Sequence, residues 1–290
     1  MTLKLKGIDK FLERIPKFSG KKIIILPIYV LVIFSLGLML QIYFDVLPSM
    51  ITVSGLLGSF TIIFPVMGVL IIGFMGIFLV YQMWSRRKRL KAKYGQLSYQ
   101  KIFLVGFAGV ILLFSIVVNN FIAFYNCNPS FWTQLPFFIF VIPLTSYIPS
   151  IALLLGYIHF FLGVFFCLLG VATMIRAVLT FGFDYMTVTY LYFPEESELQ
   201  DHKIYSVLRH PAYSGILLIC LAGTIIQLNL YSIIFFLILY FGMFIHIRFV
   251  EEKELIHRFG DSYKEYRKKT PAFFVHAKNW GVFLKYISGR

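Results

Sequence analysis

The chain has 290 residues, 59% of them hydrophobic and only 14% charged, with a formal charge of +14. A soluble domain carries about 25% charged residues, and apolar runs near membrane-crossing length recur here, so the composition excludes an ordinary water-soluble enzyme. The positive charge does not indicate nucleic-acid binding, because the bases gather beside the apolar runs, as they do in cytoplasmic loops of membrane proteins.

Residues 1–22 are basic, with Lys4, Lys6, Lys10, Arg14, Lys17, Lys21 and Lys22. Ile8–Ile15 reads either as a short amphipathic helix on anionic headgroups or as a disordered tail. The first apolar run starts at Ile23, is longer than the core of a cleavable signal and lacks its cleavage site. A first span is predicted over Ile23–Phe44, followed by a connector holding Asp45, Pro48 and Ser49. A second is predicted over Leu56–Trp84, with Gly68, Gly73 and Gly76 allowing close helix approach. Arg86–Lys93 contains six bases and no acid, which marks a cytoplasmic loop.

A third span is predicted over Lys101–Phe124. Residues 131–149 are apolar but broken by Pro136, Pro143 and Pro149, and the pieces are too short to cross a bilayer core of about 30 Å. They read as an outer-face re-entrant or interfacial segment. A long span over Ile151–Leu179 follows and ends near Arg176. From Thr180 to His210 the chain is not membrane-like, and Phe193–Asp201, with four of the thirteen acids, reads as a solvated cytoplasmic loop.

Pro211–Leu228 and Leu230–Phe249 then form an apolar hairpin turning at Asn229, which brings Arg209–Gly215 beside Arg248–Leu255 at one bilayer face. Glu251–Phe259 continues as a helix to a stop at Gly260. Asp261 caps a second helix to Lys269, and Thr270-Pro271 ends it. Phe273, Phe274, Trp280 and Phe283 suit an interfacial tail over 275–290. The fold class is therefore all-α: a polytopic bundle of about six spans with both termini cytoplasmic. It divides into a basic segment 1–22, an N-terminal membrane region 23–150, a core 151–274 and the tail.

Cys127, Cys167 and Cys220 have no metal-ligand spacing, and no metal site is indicated. Arg176 is costly in an apolar helix and either faces a cavity or snorkels to the interface. Pro211 is tolerated at a helix start, whose free N–H groups suit an anion, while His210 and Tyr213 supply hydrogen bonds and an aromatic wall. Interfacial anchoring explains the same residues. Glu251 and Glu252 point about 100° apart on a helix, so one carboxylate can face a pocket while the other pairs with Arg248 or Arg209.

The ordered set Arg209, His210, Pro211, Tyr213, Gly215, the hairpin, Glu251, Glu252, Leu255, Phe259, Gly260, Tyr263, Tyr266, Thr270 and Pro271 resembles the isoprenylcysteine carboxyl methyltransferase family. That family is related to the membrane phospholipid N-methyltransferases. The resemblance covers roughly residues 172–274. It implies S-adenosylmethionine as methyl donor, held on the cytoplasmic side by Tyr205, Arg209, His210, Tyr213, Glu251 and Glu252. It further implies Arg176, Arg248 and Glu251 as catalytic, with the arginines holding an acceptor carboxylate. The acceptor it implies is lipophilic, an isoprenylcysteine-like molecule entering from the lipid bilayer. Lys203-Ile204 departs from the family's Gly-Pro or Gly-Val before Tyr205, and the further proline after Thr270-Pro271 is absent. Rival readings are an N- or S-methyltransferase of the same fold acting on phospholipids or small molecules, an NADPH-dependent sterol or ene reductase, and a non-catalytic scaffold or transporter.

Overall fold

A computed structural model describes residues 7–18, 20–50, 63–122, 149–227 and 230–289. Ten helices carry the fold: α1 (Ile8–Arg14), α2 (Ile25–Met50), α3 (Phe64–Ser85), α4 (Arg87–Tyr94), α5 (Phe103–Asn119), α6 (Pro149–Phe181), α7 (Pro211–Gln227), α8 (Leu230–His246), α9 (Glu252–Lys269) and α10 (Trp280–Ser288). Short helical turns lie between them, including Tyr185–Thr189, Lys203–Ser206 and a widened turn Ile247–Glu251 between α8 and α9. The all-α expectation holds for the described residues.

Among the described residues four stretches are long and apolar enough to cross a membrane: Gly20–Leu47, Phe64–Ser85, Tyr157–Phe181 and Tyr231–Lys269. A fifth arises if Arg87–Lys101 and Phe103–Asn119, bent by 45°, count as one span. α7, with 17 residues, is apolar but short. The chain is thus an integral, multi-pass membrane protein. The re-entrant segment expected over 131–149 lies outside the described residues up to Pro149, where α6 begins, and so do Cys127, Asn229 and the start of the second span.

Small residues set the closest helix contacts, as packing within lipid favours. A Cβ on Gly76 would stand 2.9 Å from the Gly109 carbonyl oxygen, which joins α3 to α5. A Cβ on Gly170 or Gly215 would lie 2.7 Å from the other's carbonyl oxygen, which joins α6 to α7. The predicted close approach also occurs at Gly68, against Phe44. The hairpin forms as predicted: α7 and α8 are linked by two residues, and Thr224 Oγ1 donates across to the Ser232 carbonyl at 3.0 Å.

Several expectations are corrected. Asp45, Pro48 and Ser49 are not a connector, because α2 runs through them. Asp45 is buried there and accepts from Asn119 Nδ2 at 3.1 Å, while one turn earlier Gln41 Nε2 reaches Ser115 Oγ at 2.9 Å. Those bonds satisfy one polar atom of each side chain, and the helix continues through them. The expected short helix α1 forms, and its apolar face packs on protein. Phe11, Ile15 and Phe18 are buried with Tyr99, Phe103 and Val188, because the protein itself offers an apolar seat.

The basic run Arg86–Lys93 is mostly helix α4 rather than loop, and the acidic stretch after Phe193 is not simply solvated. Lys91 meets Glu195 at 2.5 Å, Arg14 meets Glu196 at 2.6 Å, and Arg87 lies 3.8 Å from Glu254. α5 begins at Phe103, since Lys101 belongs to the turn before the bend. As expected, Gly260 (φ 57°, ψ −131°) interrupts α9 and a second helical stretch runs to Lys269, within which Asp261 pairs with Lys264 at 2.8 Å. The C-terminal tail is only partly interfacial. Phe283 is buried with Leu169, Ala177 and Tyr205, whereas Phe274 and Trp280 remain exposed. Cys220 packs in the core.

Candidate active site

Two chain segments meet where the hairpin leaves its apolar part. The first, 206–214, is held in register by the segment after α9. Arg209 N–H donates to the Pro271 carbonyl at 2.9 Å and His210 N–H to the Ala272 carbonyl at 3.2 Å. Ser214 Oγ reaches the Phe273 carbonyl at 3.0 Å, and Thr270 Oγ1 the Ser206 carbonyl at 3.3 Å. Proline at 271 suits this strap: it needs no N–H there and supplies only an acceptor.

The second segment is the widened turn and the start of α9. It turns Glu251 and Glu252 into the protein, with the Glu252 side chain 3% and the Glu251 side chain 12% exposed, so both are protected from water. Glu252 is ringed by guanidinium groups: Arg209 Nη2 at 2.7 Å, Arg267 Nε at 3.2 Å and Arg248 Nη1 at 3.8 Å. Glu251 Oε1 accepts from the Tyr190 hydroxyl at 2.9 Å and lies 3.4 Å from His210 Nδ1. His210 Nε2 lies 3.8 Å from Glu252. The Tyr213 ring meets the His210 ring edge-on, with centroids 5.9 Å apart.

Electrostatics follow from this geometry. Burial alone would lower the His210 pKa, but the Glu251 and then the Glu252 carboxylate outweigh it, and the net shift is upward. Burial, reinforced by Glu251, pushes the Tyr190 phenol well above its usual value, so it remains a donor to that carboxylate. Arg258 fixes Tyr190 from behind, donating to its carbonyl at 3.1 Å with the guanidinium 5.2 Å from the ring centre.

The structure therefore joins Arg209, His210, Tyr213, Glu251 and Glu252, with Arg248 half-exposed at the rim. Tyr205 is buried one layer away, its ring 5.2 Å from Phe181 and its carbonyl accepting from the Tyr266 hydroxyl at 2.6 Å. Arg176 does not join the cluster through a bond. Its Nε donates to the Ile287 carbonyl at 3.0 Å, near the end of α10. Sequence reasoning missed Tyr190 and Arg267. Arg267 sat two residues before a motif boundary in a basic run, and Tyr190 carried no pattern at all.

Lys203 has φ 53°, left-handed backbone that glycine adopts without penalty. It is the position where the resemblance leads one to expect glycine. Lysine thus takes here a backbone conformation open to glycine.

Several buried polar atoms here find no hydrogen-bond partner within the protein: His210 Nε2, Glu251 Oε2 and the Tyr263 hydroxyl. Native proteins rarely leave such groups unsatisfied without a ligand, ion or water. A mixed set of acceptors and donors fits the ammonium and hydroxyl groups of S-adenosylmethionine, and the residues present suit that donor. Among the described residues no group of His, Cys, Asp and Glu could hold a metal ion. Two other concavities lie away from this cluster, one of about 280 Å³ beside Lys10, Arg14 and Asp184 and one of about 470 Å³ beside Lys268 and Lys278.

Residues 158–262 match the family model described as phospholipid methyltransferase. Two rice proteins (Oryza sativa subsp. indica and subsp. japonica), each named probable protein-S-isoprenylcysteine O-methyltransferase, are 28% identical over 109 residues, 38% of this chain and 57% of each relative. The protein-S-isoprenylcysteine O-methyltransferase of Schizosaccharomyces pombe is 36% identical over 69 residues, 24% of this chain and 29% of that protein. The chain thus matches little more than half the length of the rice relatives. No solved structure matches it. The matched region contains Arg209, His210, Tyr213, Glu251 and Glu252 and stops short of the strap. Across that region the chain is similar to the phospholipid methyltransferase model and to proteins named protein-S-isoprenylcysteine O-methyltransferase.

Proposed function

We propose that the protein is a membrane methyltransferase that uses S-adenosylmethionine to methylate a lipophilic acceptor, with an isoprenylcysteine-like carboxylate as the first candidate. The observation that carries this reading is the set of buried polar atoms without a partner, His210 Nε2, Glu251 Oε2 and the Tyr263 hydroxyl, of which His210 and Glu251 lie within the residues that match the phospholipid methyltransferase model. When bound, the donor supplies an electrophilic methyl group on a sulfonium.

The chain's own residues bind and orient. Glu251 Oε2 is free to accept from an ammonium or ribose hydroxyl, and Tyr190 holds Glu251 in place. Arg209 and Arg267 neutralise Glu252 and keep it fixed. A carboxylate acceptor is already nucleophilic at neutral pH, so the protein need only align it and exclude water. Arg248, at the exposed rim, is the candidate to hold that carboxylate. Arg176 would reach it only by leaving the Ile287 carbonyl, and in this arrangement its role is to anchor α10. The active side would face the cytoplasm, on the orientation rule for the basic segments.

The phospholipid methyltransferase match favours a second reading, an amine acceptor oriented by Glu251. The deciding experiment is calorimetric titration of S-adenosylhomocysteine into detergent-purified protein, beside His210→Ala and Glu251→Ala. Binding that both substitutions abolish supports the donor site. Absence of binding to folded wild type would sink the methyltransferase reading. Methyl transfer to a farnesylcysteine analogue or to phosphatidylethanolamine then separates the two acceptors.

A further inference from the structure

A second polar concavity, of about 470 Å³, is lined by Lys268, Lys269, His276, Ala277 and Lys278. No acid lines it. Lys269 has only a loose pair with Glu265, at 3.9 Å and with both side chains more than two-thirds exposed, so the cationic charge there is largely uncompensated. The flanking residues fix where this cleft lies. Just before it, the Phe273 and Phe274 rings sit 6.2 and 6.3 Å from the ring of Tyr240, which lies within the apolar helix α8. Just after it, Phe283 is buried with Leu169 and Ala177 on α6. The basic turn is thereby tied at both ends to apolar, membrane-crossing helices. Next to it Phe274 (62%), Trp280 (43%) and Leu284 (49%) expose apolar surface that α10 does not bury. Cations next in the chain to exposed aromatic and aliphatic groups form a two-part surface, one part for an anion and one for acyl chains.

We propose that Lys268, Lys269, His276 and Lys278 bind the phosphate of an anionic phospholipid headgroup, with the lipid's acyl chains lying along Phe274 and Trp280. Free phosphate shares the headgroup chemistry but has nothing to place on the aromatic surface. The proposal is independent of the methyl-transfer reading, since none of these residues touches the His210–Glu251 cluster through a bond.

Trp280 is a reporter within the site. In full-length protein carrying Trp84→Phe and Trp132→Phe, it is the sole tryptophan. Its fluorescence is followed in neutral detergent micelles doped with brominated phosphatidylglycerol or brominated phosphatidylcholine. The expected result is quenching by the anionic lipid at a mole fraction about fivefold lower or less, given the attraction each lysine exerts on anionic lipid. Lys268→Gln/Lys269→Gln/Lys278→Gln should erase that preference with the circular dichroism spectrum unchanged. If the triple variant does not fold, Lys278→Gln alone must reduce it. Equal quenching by both lipids overturns the proposal. So does displacement of the brominated anionic lipid by low-millimolar inorganic phosphate, which would mark a site for free anions.

Discussion

Glu251 is the residue on which the site turns, because one of its oxygens is held by Tyr190 while the other has no partner. Tyr190→Phe removes a donor to a buried carboxylate, a loss of about 1–3 kcal/mol. S-adenosylhomocysteine affinity measured by calorimetry should fall by about tenfold or more, since that loss is felt where the carboxylate must be rigid. His210 sets a pH dependence. Its folded pKa is raised by Glu251 and Glu252, so its stabilising contribution is fully present below the unfolded value of about 6.5 and is lost as pH rises through the folded one. Melting temperatures taken across that range should fall on the alkaline side, and His210→Gln should flatten the trend. Lys203 holds a left-handed backbone that costs a non-glycine residue about 1 kcal/mol. Lys203→Gly should therefore raise the melting temperature and leave donor affinity intact. A lower melting temperature would mean that the lysine stem contributes more than the backbone conformation costs.

At the scale of elements, much was legible in sequence. The hairpin, the long helix α6 and the meeting of Arg209–Gly215 with Arg248–Leu255 follow from apolar run length and the polar clusters that bound it. The strap was legible only as a terminator. Thr270-Pro271 signals the end of α9, but nothing local says that its carbonyls will satisfy the Arg209 and His210 N–H groups. Asp45 was misread because an acid in an apolar run looks like a boundary until its partner, Asn119 on another helix, is known. The same limit applies to α1 and α4, whose partners are distant in sequence. Packing of α6 on α7 depends on Gly170 and Gly215, where an added methyl meets opposing backbone at 2.7 Å. Gly215→Ala should cost about 1–3 kcal/mol through overpacking, read as a lower melting temperature in detergent. Gly281→Ala, with open space around its Cβ position, is the matched control.

Across the whole molecule, the N-terminal helices are joined to the family-like part in two ways. Within the apolar region Asn120 Nδ2 donates to the Cys220 carbonyl at 2.8 Å and to Thr224 Oγ1 at 3.0 Å. Outside it, Glu195 and Glu196 receive Lys91 and Arg14. The outer pairs are partly exposed and each is worth about 0–1 kcal/mol, so they tether α1 and α4 without governing global stability. Glu195→Lys/Glu196→Lys should speed tryptic cleavage at Lys10 and Lys17 while barely moving the melting temperature, and high salt should act in the same direction on wild type. The strap has a consequence for biosynthesis. Ser214 and the carbonyl that fixes it are 59 residues apart, and Arg267, which helps hold Glu252, is also made late. A nascent chain can therefore insert its apolar helices and pack α6 on α7 well before Arg209 and His210 are locked in place. Membrane integration precedes assembly of the site, and a chain stalled after α8 would be lodged in the bilayer yet unable to retain a ligand there.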